Sequence, residues 1–228
     1  LYTVSGNARR IIGKENLTGG TFIEPIVPAE KINEALAAND AEIHLLTEKI
    51  NMAADAEEKA QLKKQREILT TQSLAKVHAL YSFHCADGKV KSLKEICATK
   101  NKGRLPPTGT GDCCAPKLLD YCYKNKLQPV SMCEVFYGKK NESKKAGIAY
   151  GPCDERCGII LPEMLGLEVL YRDEHIAVVN KQSGLLSVPG RGPEKEDSVE
   201  KRFRVLYGDS VQVKQPAVHR LDMETSGI

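Results

Sequence analysis

The sequence predicts an α+β protein: a helical hairpin and a small cysteine-rich α/β module, followed by a segment of strands and one helix. Three observations carry that prediction. Residues 29–80 contain neither Gly nor Pro and repeat apolar residues at helical spacing. All eight cysteines (Cys85, Cys97, Cys113, Cys114, Cys122, Cys133, Cys153 and Cys157) fall between residues 85 and 157. After residue 166 the chain turns to short apolar runs parted by Gly and Pro, the texture of strands.

Each segment has its own justification. Residues 1–28 hold strand-like pieces, "LYTVSG" and "TFIEPIV", divided by "LTGG" and closed by Pro25 and Pro28. Within 29–80, Leu36, Ile43 and Ile50 recur every seven residues with Ile32 and Leu46 on the same side, which marks an amphipathic helix. A softer "NMAADAEE" leads into a second, basic helix. The repeat is too short for a free coiled coil, so a hairpin packed on its own protein is expected. His44 and His78, on these helices, read as surface or half-buried residues. Residues 81–166 begin with a strand, a turn at Asp87–Gly88 and a helix; "LPPTGTGD" is a loop, "CCAPKLLDYCYKNK" a helix starting near its second cysteine, and "SMCEVFYG" a strand. Residues 167–228 give two strands and a turn, the amphipathic helix "EDSVEKRFRVLYG", and "AVHRLDMETSGI" as a strand running into a turn.

Composition narrows the function classes. A content of 41% hydrophobic and 28% charged residues describes an ordinary globular protein. No apolar run approaches the roughly 20 residues a membrane span needs, so no membrane partner is expected. A net charge of +3 permits a polyanionic partner without demanding one. Cysteines confined to one module fit a cytoplasmic protein better than a secreted, disulfide-stapled one. The chain opens on "LYTVSGNARR" without a methionine and stops inside "HRLDMETSGI", so it is expected to be a piece cut at both ends.

The last stretch carries the most chemistry. Asp222 stands two residues after Arg220, and Thr225, Ser226 and Gly227 follow at a spacing that lets hydroxyl and N–H groups turn back on the carboxylate. Arg220 is near enough to keep Asp222 ionised where the site is partly buried. The earlier "NKQSGLLSVPG" adds Lys181 and a Gly-Pro loop able to lie against a phosphate backbone.

"LYRDEHIAVVNKQSGLLSVPG" followed about thirty residues later by "HRLDMETSG" closely resembles the opening of the RluA-type RNA pseudouridine synthase domain. Gln182 departs mildly from that family's usual Pro, and the second motif is intact from His219 to Gly227. The resemblance covers residues 168–228 directly, and it implies that residues 167–228 are the start of a mixed, mainly antiparallel β-sheet. It implies an isomerase that breaks the glycosidic bond of a uridine in ribosomal or transfer RNA, turns the base and rejoins it through carbon, without metal or cofactor. It makes Asp222 the catalytic group. It gives Arg220 the gap left by the extruded base or the adjacent phosphate, with His219, Lys181, Thr225 and Ser226 along the RNA. A carboxylate suits either mechanism discussed for such a site, covalent attack on the sugar or removal of a sugar proton. The family's tyrosine under the base, and the basic residue that pairs with its aspartate, are expected after Ile228, which would leave this piece inactive alone.

Cys113, Cys153 and Cys157 are the cysteines placed at loop-to-helix junctions, in "GDCCAPK" and "GPCDERC". Thiolates at helix starts bind metal readily, so a structural zinc on these three is one reading. Buried reduced thiols capping helices are the other. The arrangement resembles the zinc site of cytosine-type deaminases, but Ala115 stands where their glutamate would be, and the last pair is spaced C-x-x-x-C. A deaminase-like relic therefore fits better than an active hydrolase. "GTGDCCAPKLLDYC", "CEVFYG" and "YGPCDERCGIILPEMLGL" also resemble an N-terminal extension that some bacterial RluA-type proteins carry. The alternative to an enzyme is a non-catalytic RNA-binding or zinc-binding accessory module.

Overall fold

A computed structural model describes residues 1–6, 19–129, 132–137, 144–153, 155–207 and 213–228. Leu17 and Thr18 of the "LTGG" spacer, and Ser131 and Gly138 at the ends of "SMCEVFYG", lie outside the described residues.

The Gly- and Pro-free stretch forms two helices, α1 (Ala29–Met52) and α2 (Ala56–His78). They part where Ala53 turns extended, and Asp55 then caps α2 by accepting from the Glu58 N–H at 2.7 Å. The seven-residue stripe faces inward: Leu46 and Ile50 are buried, and Ile32, Leu36 and Ile43 half-buried. Each fully buried aliphatic side chain is worth roughly 1.5–3 kcal/mol. Asn39 on α1 donates to Ser73 on α2 at 3.0 Å, fixing the register of the hairpin.

The central module begins with the antiparallel pair β1 (Ser82–His84) and β2 (Val90–Ser92), turned at Asp87 and Gly88. Gly88 has φ +79°, which an L side chain adopts only with strain. Ser92 and Glu95 form a reciprocal capping box that starts α3 (Leu93–Lys100). Helix α4 (Cys114–Lys124) is followed by the short antiparallel pair β3 (Glu134–Val135) and β4 (Ala149–Tyr150), then α5 (Cys157–Met164). Helix α5 closes with Gly166 at φ +61°: its N–H reaches the Glu163 carbonyl, and that of Leu167 the Pro162 carbonyl at 2.7 Å.

Beyond that cap come the antiparallel pair β5 (Glu168–Arg172) and β6 (Ala177–Asn180), a 3-10 turn at Pro193–Lys195, and α6 (Val199–Tyr207). Among the described residues the strands form three separate two-stranded antiparallel sheets, so the mixed sheet expected for 167–228 is present only as its β5–β6 pair. Residues 217–222 were expected to form a strand and are irregular. An extended segment becomes a strand only when a neighbour takes up its N–H and C=O groups, and among the described residues the pairing here is a single antiparallel bridge, Lys181 to Gly227.

One core crosses residue 166. Tyr81, Phe83, Leu93, Ile96, Ile160 and Met164 share a buried cluster with Leu185, Val205 and Leu206 of the last segment. Arg202 on α6 reinforces it, donating to the Leu165 carbonyl at 2.7 Å and twice to Asp197 at 2.8 and 2.6 Å. Among the described residues no helix is long and apolar enough to cross a membrane.

Candidate functional site

Two motifs far apart in sequence meet at the end of β6. The backbones of Lys181 and Gly227 exchange both hydrogen bonds, at 2.6 and 3.0 Å. Gly184, at φ +82°, donates to the Met223 carbonyl at 2.8 Å. The Ser187 hydroxyl serves Leu221 twice, donating to its carbonyl at 2.8 Å and accepting from its N–H at 3.0 Å, and the Ser183 hydroxyl donates to the Glu224 carbonyl at 2.9 Å. The Asn180–Ser187 loop thus grips the chain on both sides of Asp222. Thr225 closes the turn, its N–H on the Asp222 carbonyl at 3.0 Å.

The predicted site residues divide sharply by exposure. His219, Arg220, Asp222, Thr225 and Ser226 are all exposed on this turn. The Asp222 carboxylate makes no ion pair or side-chain hydrogen bond among the described residues, so the expected pairing with Arg220 and the return of the Thr225 and Ser226 hydroxyls are not formed. The His219 ring lies 3.3 Å from the Ile228 carbonyl. Lys181, expected along the RNA, is turned inward here. It is only 4% exposed, and its ammonium donates to the carbonyls of Gln182, Leu185 and Met223 at 3.1, 2.7 and 3.0 Å. A buried ammonium must satisfy its three protons, and three carbonyls of the turn do so. Sequence reasoning missed Ser183 and Ser187; a serine before and after the glycine of "SGLLS" was the available signal.

The three junction cysteines also come together. The Sγ atoms of Cys113, Cys153 and Cys157 lie within 4.8 Å of one another. Cys113 caps α4 and Cys157 is the first residue of α5, so two helix N-termini converge on the thiols. The Gly158 N–H donates to the Cys153 carbonyl at 3.0 Å, folding the Cys153 loop back over α5. A hydrogen bond from the Cys157 thiol, opposed by burial and aided by the Arg156 charge, brings the Cys113 thiol down to about 7. Donating that hydrogen bond, together with burial, pushes the Cys157 thiol up. A carboxylate stands beside them: Glu134 of β3 accepts from the Ala115 N–H at 3.0 Å, the very position where the sequence lacks a glutamate. No spacing in the chain announced it, because β3 brings it from 19 residues away.

No protein-family model matches the chain. A 62-residue stretch, 27% of the chain, is 60% identical to the dual-specificity RNA pseudouridine synthase RluA of Haemophilus ducreyi. The proteins of that name from Yersinia pestis and Escherichia coli K12 are 57% identical over 60 residues and 52% over 67. The chain covers 26%, 27% and 28% of these three relatives, about a quarter of their length. Over roughly a quarter of its own length, the chain is similar in sequence to these pseudouridine synthases.

Proposed function

We propose that this chain is part of an RNA pseudouridine synthase in which Asp222 is the catalytic carboxylate and Arg220 holds the RNA beside the extruded uridine. The observation that carries this reading is the joining of "NKQSG" to "HRLDMETSG" by the Lys181–Gly227 bridge and the Ser187–Leu221 pair, which presents Asp222 at an open corner. An open corner suits a macromolecular substrate. A base stacked in RNA must swing out before a carboxylate can reach its sugar.

On this reading Asp222 either forms an ester with the sugar carbon or takes a proton from the sugar as the glycosidic bond breaks. The freed base re-attacks through carbon 5, displacing the ester or restoring the sugar proton, and carbon 5 then loses its proton while the freed ring nitrogen gains one. The base leaves and returns within one site, so the reaction is redox-neutral and no cofactor enters it. His219, Thr225 and Ser226 are exposed on the same turn and available to phosphate and sugar oxygens. Ribosomal or transfer RNA is the substrate class proposed, with the cytoplasm as the compartment.

The test uses the complete protein, RNA tritiated at carbon 5 of uridine, and the Asp222→Asn and Asp222→Ala variants. Tritium release is expected to vanish in both variants while RNA affinity stays within a few-fold. Residual turnover above a tenth of wild type refutes the assignment of Asp222.

A further inference from the structure

We propose that Cys113, Cys153 and Cys157 bind one zinc ion through three thiolates, with the fourth position open to water beside Glu134. The inference is independent of the pseudouridine synthase reading, since the cluster lies in the central module.

The geometry is close to that of a tetrahedral thiolate site. Zinc–sulfur bonds of ~2.3 Å place tetrahedral sulfur ligands roughly 3.8 Å apart. Sulfurs already within 4.8 Å of one another need only small rotations to reach that spacing. The ligands come from three places: the residue before α4, Cys153 between β4 and α5, and the first turn of α5. Three soft sulfurs select zinc over magnesium or calcium, which take oxygen.

The surroundings offset the negative charge that three thiolates would bring. Two helix N-termini point at the sulfurs, and the Arg156 charge lies near Cys113. Three thiolates around a dication leave a net charge of about −1 by simple summation, which those N-termini and Arg156 offset. Glu134 is not a ligand here. Its carboxylate is outside the group of atoms that share the 4.8 Å limit and is committed to the Ala115 N–H. Cys153 is exposed, so solvent reaches this side of the cluster. A metal there ties α4, α5 and the loop between β4 and α5 to one point.

The competing reading is three reduced thiols, two of them hydrogen-bonded to each other. The experiment that separates the two uses the full chain, purified under reducing conditions without chelator and supplied with zinc chloride. About one zinc per chain is expected after gel filtration. Replacement by cobalt should give thiolate-to-metal charge-transfer absorption and the visible bands of a tetrahedral ion. Cys157 is fully buried and its Ser variant risks misfolding, so the exposed Cys153→Ser decides. That variant should keep the wild-type circular dichroism spectrum and lose at least ten-fold in zinc affinity. Glu134→Gln should keep the metal. Zinc below a tenth of an equivalent in the wild type, a disulfide between any two of the three, or full zinc retention by Cys153→Ser overturns the site.

Discussion

Lys181→Met tests whether Lys181 is a structural tie or an RNA contact, because the two roles predict opposite outcomes. Methionine matches the length of the stem but removes the ammonium and its bonds to Gln182, Leu185 and Met223. The losses are unequal. Met223 keeps a second donor in the Gly184 N–H, and Gln182 is exposed, so water replaces its partner. The Leu185 carbonyl belongs to a buried residue and loses a 2.7 Å charged hydrogen bond. Leaving it unpaired costs about 1–3 kcal/mol, and the other two bonds add about 1 kcal/mol between them after hydration. Relief from burying the ammonium offsets part of that. The net is a local destabilisation of about 2 kcal/mol, or roughly 30-fold in the opening equilibrium. Native-state amide exchange reads it directly: the N–H groups of Lys181, Gly184 and Gly227, which hold the turn, should exchange more than ten-fold faster, with core amides unaffected. Unchanged exchange with RNA affinity down ten-fold would falsify the structural role and restore Lys181 to the RNA surface.

Two further outcomes follow from other ties in the molecule. Arg202→Met removes a buried guanidinium from Leu165 and strands a half-exposed Asp197, which should lower the urea-unfolding free energy by about 2 kcal/mol; a loss under 0.5 kcal/mol shows that the core across residue 166 does not depend on it. Asp173 is held below the usual aspartate range by the Ile176 and His175 N–H groups and the Tyr171 hydroxyl. A depressed carboxyl stabilises the fold above its unfolded value and loses that contribution as pH falls through the folded one, so the β5–β6 turn should loosen only in acid. The His175 and Ile176 amide resonances should titrate there with a midpoint below that of a free aspartate and stay flat in Asp173→Asn.

Periodicity and turn chemistry made much of the scaffold legible. The stripe of Leu36, Ile43 and Ile50 placed α1, and Asp87–Gly88 placed the β1–β2 turn, because both signals are local. The start of "AVHRLDMETSGI" departs from the expected strand because a strand is a property of two segments. The motif identified the chemistry of Lys181 but not its direction, since the carbonyls that draw it inward belong to backbone, which a sequence motif does not display. Cys113, Cys153 and Cys157 were singled out by their places at helix starts. Glu134 was not, because only the course of the chain after α4 brings it to Ala115.

At Asp222 the structure separates position from activation. Hydrogen bonds fix the carboxylate's neighbours before and after it, so its place is set without a hydrogen bond to the side chain itself among the described residues. Its reactivity is not set in the same way, because the group is exposed and unpaired among the described residues. A closer Arg220 would change little in water: two unit charges at 4 Å attract by about 1 kcal/mol at the dielectric of water and about 4 kcal/mol at an effective dielectric of 20. The gain comes from excluding water, not from shortening the distance. On the proposed function, the substrate does that when the uridine and its sugar cover the turn. The turn and the RNA then form the site together, and Ser187, Lys181 and Gly227 matter because they hold Asp222 where the sugar arrives.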